Sequence, residues 1–400
     1  MPYHSQVCEY LKTAEAEVWQ WYASNRFRDD QSAATRFDLL KTCYRLDRDS
    51  ATDVYKIVDT LAEKLSLAAP VTVYQSQHPQ AINASLAYLP NEAHIVLHGP
   101  ILDRLAPSEQ EALFAHELGH LIFLESWDGE CLIASQILEA MTLDLASDPS
   151  HIETTRLFSL YTEIFCDRIA MQIMDDPAPM IQTLVKLETG TESVDAQAYR
   201  KQAAEILQSG PVESTGISHP ECYLRAAALD AWDADESTAA AKIQDWIAGP
   251  PQLESLDFIS QQHQTLLTRQ LIDALLTPKW MQTEPLIGHA RLFFSDYHPP
   301  AKNPSPSDQD TPQENAYRRG DTKLQEYFGF ILLDFVTADP ELEEASLALA
   351  LDIAMRFQLQ ETFEPLAIRE LRLRKQQLKQ IKENRQALIK AASTSEDPTA

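Results

Sequence analysis

The sequence predicts a mainly α fold with a small β-sheet, followed by a C-terminal all-helical module. Three observations point that way. Apolar residues recur at three- and four-residue spacing, as at Leu39, Leu40, Tyr44, Val54, Ile57, Val58 and Leu61, which is the periodicity of a helix. Three short runs between residues 71 and 98, the first of them β-branched, break that periodicity and read as strands. His298 to Asn315 holds five prolines and almost no apolar side chains, so a flexible segment divides the helical text.

Taken along the chain, residues 1 to about 68 read as helical throughout. VTVYQS (71–76) reads as a strand. ASLAYL (84–89) and HIVLH (94–98) flank Pro90-Asn91-Glu92 and read as a hairpin. Ser108, followed by Gln110 and Glu111 ahead of an apolar periodic run, starts a helix over about 108–125. Further helices are expected over about 129–146, 152–174, 196–208, 220–231, 237–247 and 260–276. The resulting organisation is an N-terminal helical lead-in (1–69), a domain with the sheet (70–250), a helical extension (251–298), a Pro-rich flexible linker (299–321), the C-terminal helical module (322–392) and a disordered tail (393–400).

Composition excludes several classes of function. With 44% hydrophobic residues, 400 residues can bury a sizeable core. Lys plus Arg number 33 against 60 Asp plus Glu, a formal charge of -27. Such a body repels phosphate backbones, so no nucleic-acid binding by the main domain is expected. The 10 glycines include no G-x-G-x-x-G or G-x-x-x-x-G-K-[ST] string. The N-terminus lacks a basic stretch followed by an apolar one, and no apolar run approaches the roughly 18 residues of a membrane span. Cys8, Cys43, Cys131, Cys166 and Cys222 contain no C-x-x-C pair. A soluble protein in the reducing cytoplasm is therefore expected. Residues 369–390 carry eight Lys and Arg against two Glu, a basic helix face expected to dock on the acidic body of its own chain or on an acidic partner.

The chemistry is concentrated in His116-Glu117-Leu118-Gly119-His120. A spacing of four puts both imidazoles on one helical face, where they can share one tetrahedral zinc. Glu117, one step round the turn, is too far back to ligate but can take a proton from the attacking water. A catalytic zinc takes three protein ligands. The metzincin continuation would need Gly at 123 and His at 126, where this chain has Phe123 and Ser126. Glu163 is the better third ligand. It lies four residues before Asp167 among Leu160, Tyr161, Ile164, Phe165 and Ile169, surroundings that are unusual for solvated carboxylates. Asp167 could hold a ligating imidazole from behind.

A third segment, Gly216-Ile217-Ser218-His219-Pro220 with Arg225 six residues beyond His219, reads on its own as a capping turn. Together the segments resemble the zinc metallopeptidase family of gluzincins that includes the type I CaaX prenyl protease and the HtpX heat-shock protease. That family shows Asn-Ala in an edge strand, then H-E-x-x-H, then E-x-x-x-D, then His-Pro with Arg six after the His. Here Asn83-Ala84, His116 to His120, Glu163 with Asp167, and His219-Pro220 with Arg225 appear in that order, and the resemblance covers about 35–230. It implies an α+β zincin-like metallopeptidase domain over 70–250, with one zinc per chain on His116, His120 and Glu163. It also implies Glu117 as general base, His219 as donor to the oxyanion, and Arg225 beside Asp167. The edge strand at Asn83, Ala84, Ser85 and Leu86 would pair with an extended peptide substrate. Cys166 stands where Ala is usual and Ser85 where an aromatic is common. The absence of membrane-spanning segments argues against the membrane substrates of well-known members. A soluble zinc-dependent endopeptidase acting on peptide or protein substrates is therefore expected. The alternative is a latent zincin that serves as a helical binding or scaffold protein, its cleft occluded by the C-terminal region.

Overall fold

The strand signals between residues 71 and 98 condense into one four-stranded sheet. The computed structural model describes residues 1–25, 29–77, 82–89, 92–143, 146–210, 212–300 and 316–394. In it β1 (Cys43–Arg45), β2 (Val71–Ser76), β3 (Asn83–Leu89) and β4 (Glu92–His98) lie in the order β1-β2-β4-β3. β2 and β4 are parallel, with Val73 beside Ile95; β1 and β3 run antiparallel to their neighbours, with Ala84 beside Leu97. β4 is buried on both faces. Ala93, Ile95 and Leu97 join one core, while Val96 meets Leu39, Cys43 and Tyr74 on the other side. A continuous apolar run such as Ile95-Val96-Leu97 is what a two-sided central position demands. β3 is an edge strand. Pro90 and Asn91, the expected turn between β3 and β4, lie outside the described residues.

Eleven described helices surround the sheet in a first unit, residues 1–249. They are α1 (Pro2–Ala14), α2 (Ala16–Asn25), α3 (Asp29–Thr42), α4 (Thr52–Lys64), α5 (Ile101–Arg104), α6 (Pro107–Met141), α7 (Pro149–Met174), α8 (Ala178–Thr189), α9 (Ala196–Gln208), α10 (Cys222–Ala234) and α11 (Glu236–Ala248). Val58 and Leu61 of α4, Leu113 and Leu118 of α6, and Ile181 of α8 close over Ile95 and Leu97. Leu160 and Ile164 of α7 pack with Leu224 of α10 and Ile243 of α11 in a second cluster. Each such side chain contributes about 1.5–3 kcal/mol by leaving water. Tyr55 ties α4 to the sheet: its hydroxyl donates to Leu46 O at 2.9 Å and accepts from Val73 N at 3.2 Å.

Three expectations need correction here. Residues 1–68 are not helical throughout, because Cys43–Arg45 forms β1 and α4 starts only at Thr52. A three-residue strand is too short to show a period of two; the backbone of β2 beside it decides its conformation. The helix expected from Ser108 starts at Pro107, with Ala106 N donating to the Glu109 carboxylate at 2.7 Å. Proline is favoured in a first turn, where its missing N–H costs nothing. The helix expected over 129–146 ends at Met141. It continues α6 beyond a break at Ser126 to Gly129, where Trp127 and Asp128 take left-handed φ values of 51° and 55°.

The second unit, residues 250–400, is all helical where described, with α12 (Phe258–Leu276), α13 (Glu284–Phe293), α14 (Thr322–Thr337), α15 (Glu343–Arg356), α16 (Gln360–Glu370) and α17 (Lys375–Thr394). The segments 251–298 and 322–392, separate in the sequence reading, share one core here: Leu271, Ile272 and Leu275 of α12 join Phe328, Phe335 and Phe363. The basic helix α17 sets Lys382 on Glu364 at 2.5 Å and Arg385 on Asp352 at 3.2 Å, both within this unit. Residues 301–315 of the expected linker and 395–400 of the tail lie outside the described residues.

Candidate metal centre

α6 and α7 cross with unusual closeness at the H-E-L-G-H segment. A Cβ on Gly119 would come within 3.1 Å of Cys166 Cα and 3.2 Å of Cys166 Cβ, so the missing side chain is what lets the two backbones approach. The crossing brings together residues that lie far apart in the sequence. His116 Nε2 lies 3.4 Å from Glu163 Oε2, and His120 Nε2 lies 3.4 Å from Glu163 Oε1. One donor atom from each of His116, His120 and Glu163 falls within 4.8 Å of the others.

The residues fit a metal by two tests. Ligand atoms about 2.0–2.1 Å from a tetrahedral zinc stand about 3.3 Å apart, close to the two 3.4 Å separations. Glu163 Oε2 is buried without a hydrogen bond, although Arg225 Nη2 (3.3 Å), His116 Nε2 (3.4 Å) and His219 Nε2 (3.5 Å) surround it. A buried oxygen ringed by nitrogens just beyond bonding distance leaves room for a cation. Among the described residues no other such cluster of His, Cys, Asp and Glu occurs.

The chain orients its ligands from behind. His116 Nδ1 donates to Asp167 Oδ1 at 2.9 Å, which turns the Nε2 lone pair toward Glu163 and His120. Arg225 donates to both oxygens of Asp167 at 2.7 Å. Asp167 is fully buried; burial opposes its ionisation, yet the Arg225 guanidinium holds its carboxyl below the usual range. Burial also opposes ionisation of Glu163, but His116 and Arg225 hold it well below that range. For His116 burial disfavours the imidazolium, and the Asp167 and Glu163 carboxylates outweigh it, carrying it up to about 10. The site thus keeps two carboxylates charged in the interior and favours a cation between the imidazole and Glu163. Burial pushes His120 down to about 4, a neutral ring with a free lone pair.

Glu117 faces the same space from α6 and is 4% exposed, and burial pushes its carboxyl up to about 7. A cavity of about 590 Å³ opens over His116, Glu117, His120 and Glu163 and is bounded by Asn83, Ala84, Ser85 and Leu86 of β3. His219, exposed on a loop before α10, stands on its rim, with Ser218 Oγ 2.9 Å from its Nδ1. Every candidate site residue of the sequence reading therefore borders one cleft or lies directly behind it. That reading misses the wall formed by Leu132, Ser135 and Gln136 after the α6 break and by Met180 and Leu184 of α8. Plain amphipathic helices carry no local mark of facing a cleft. It also misses Glu153 and Arg156, which share a face of α7 with Glu163 at helical spacing, a signal the sequence does carry.

Residues 49–233 match the profile of Peptidase family M48. They form a Peptidase family M48 domain. The Arabidopsis thaliana plastoglobule-localized metallopeptidase 48, chloroplastic, is 27% identical over 209 residues, which is 48% of this chain and 60% of that protein. The chain thus matches about three-fifths of its relative's length. No solved structure matches. Among the described residues no helix is long and apolar enough to cross a membrane. The M48 domain contains both helices of the metal centre, β3 and the His219 loop.

Proposed function

We propose that this chain is a zinc-dependent endopeptidase in which His116, His120 and Glu163 hold one zinc and Glu117 is the general base. The observation that carries this reading is the set of three donor atoms within 4.8 Å beneath a cleft bounded by an edge strand. Two imidazoles and a carboxylate suit zinc, which supplies Lewis acidity to a scissile carbonyl and lowers the pKa of water.

The chain's own residues do the rest. β3 offers its free edge to an extended peptide, whose main chain gains hydrogen bonds with little sequence selection. Glu117, buried and near neutrality in its proton affinity, takes a proton from the attacking water and returns it to the leaving amine. His219 donates from Nε2 to the oxyanion, its ring fixed by Ser218. Asp167 and Arg225 keep His116 in its ligating tautomer. A cytoplasmic setting belongs to this reading and is supported by five free thiols.

The test combines metal analysis with cleavage of casein or a quenched peptide by the full chain. Wild type should carry one zinc and cleave; Glu117→Gln should keep the zinc and lose hydrolysis; Glu163→Ala should lose the zinc. Zinc bound without turnover would favour the scaffold alternative, and full occupancy in Glu163→Ala would remove the third ligand.

A further inference from the structure

The helix that supplies Glu163 also grips the loop that carries His219. Arg156, seven residues and about 10 Å along α7 from Glu163, donates from Nη1 to Ser214 O at 3.1 Å and to Gly216 O at 3.0 Å. Its other donors are held by Glu153, at 2.8 Å from Nε and 2.7 Å from Nη2. The guanidinium therefore bridges one helix and one loop, with both ends engaged. The loop is fastened again at its far side: Glu221 accepts from Ser214 Oγ at 2.8 Å and from Thr215 N at 2.9 Å.

Gly216 completes the arrangement. A Cβ at that position would collide with His219 O and lie 2.9 Å from His219 C. The carbonyl that Arg156 grips thus belongs to a residue whose backbone presses on that of His219. His219 itself is an exposed side chain reaching toward Glu163 Oε2 at 3.5 Å, and no buried packing holds its ring in place. Apart from the Ser218 hydrogen bond at its Nδ1, which the same loop carries, its position comes from the backbone beneath it.

We infer that Arg156 is a positioning residue, which with Gly216 sets the height and direction of His219 relative to Glu163. This rests on the proposed role of His219 as oxyanion donor. The physical requirement is strict, because a donor must sit where the oxyanion forms rather than where the ground-state carbonyl lies. A displacement near 1 Å costs on the order of 100-fold in rate. Using α7 for both jobs makes the distance between metal ligand and donor a property of one rigid helix. Arg is suited to this because its planar fork holds two carbonyls and one carboxylate at once, which Lys cannot do.

The experiment measures kcat and KM on a quenched peptide, with zinc content, for Arg156→Gln, Arg156→Lys and Gly216→Ala, each alone and combined with His219→Ala. Selectively labelled His ring signals, with His219 assigned through His219→Ala, report position independently of turnover. We expect Arg156→Gln and Gly216→Ala to keep zinc and KM and to lose about 10- to 100-fold in kcat. Arg156→Lys should recover part of the loss. In the His219→Ala background the same changes should cost less than about threefold, because the donor they position is already gone. The His219 signal should shift or broaden in Arg156→Gln. Equal losses in both backgrounds would overturn the inference, since they would show a general effect on folding. An unshifted, sharp His219 signal in Arg156→Gln would overturn it as well. If His219→Ala alone left turnover unchanged, the oxyanion role would fail, and the ring signal would still decide whether Arg156 sets the position of His219.

Discussion

Replacing Arg225 by Ala removes the guanidinium that donates two 2.7 Å hydrogen bonds to Asp167 and lies 3.3 Å from Glu163. Both carboxylates are buried in the wild type and lose their guanidinium partner. Removing one partner of a buried ion pair typically costs about 3–5 kcal/mol. For a unit of this size, about 2–4 °C of Tm accompanies each kcal/mol, so the metal-free protein should melt about 6–20 °C lower. Asp167 also orients His116, so metal affinity should fall about 10- to 100-fold. Weaker binding adds about 1.4–2.7 kcal/mol to the loss at saturating metal, so the drop in Tm should be larger in the loaded protein. Calorimetry with and without chelator, and metal titration against a competing chelator, measure both effects. Arg225→Lys keeps the charge and loses the two-pronged geometry, so it should fall between the extremes. A Tm within about 3 °C of wild type in both states, under about 1 kcal/mol, would refute the idea that Asp167 depends on Arg225.

Three further outcomes are expected. His219→Ala should keep its zinc and its melting temperature and lose about 100-fold in kcat with KM little changed, because the oxyanion exists only in the transition state; steady-state kinetics on one peptide checks this. Where the two helices cross, Gly119→Ala should force α6 from α7 by a few tenths of an ångström, lowering metal affinity in a chelator titration more than it lowers Tm. His4, whose ring nitrogen lies 3.1 Å from Phe158 O, is pushed down to about 3 by burial. The unfolded chain takes up that proton near pH 6.5 and the folded chain refuses it until about pH 3, so this stability is intact above about 6.5. It falls by about 1.4 kcal/mol per pH unit below that. Thermal melts of His4→Phe should show a shallower loss between about pH 4 and 6, and an unchanged slope would assign the acid sensitivity to other groups.

Much of the metal centre is legible in local spacing. An interval of four residues is enough to put His116 and His120 on one face of a helix, and the same interval pairs Glu163 with Asp167, whatever the rest of the chain does. Apolar neighbours around both pairs mark them as interior, where charge needs a partner. The strand at 71–76 and the helix at 196–208 are equally local, because each has a complete periodic pattern and its own boundary residues. β1 is not legible, since three residues show no period and its hydrogen bonds belong to β2. The first turn of α6 is displaced by one residue from its expected start because Ser108 and Pro107 both suit a helix N-terminus.

The sequence by itself therefore determined most of the element types and the residues able to ligate, because these depend on side-chain identity and on intervals within one helix or strand. Only the tertiary structure decided that α7 crosses α6 closely enough, at Gly119 and Cys166, for Glu163 to reach both imidazoles. It alone showed that Arg225 grips Asp167 by two bonds, and that Arg156 reaches 58 and 60 residues along the chain to hold the loop of His219. Contacts of that kind depend on how helices pack, and packing is set by the summed fit of many apolar side chains, which no interval between polar residues records.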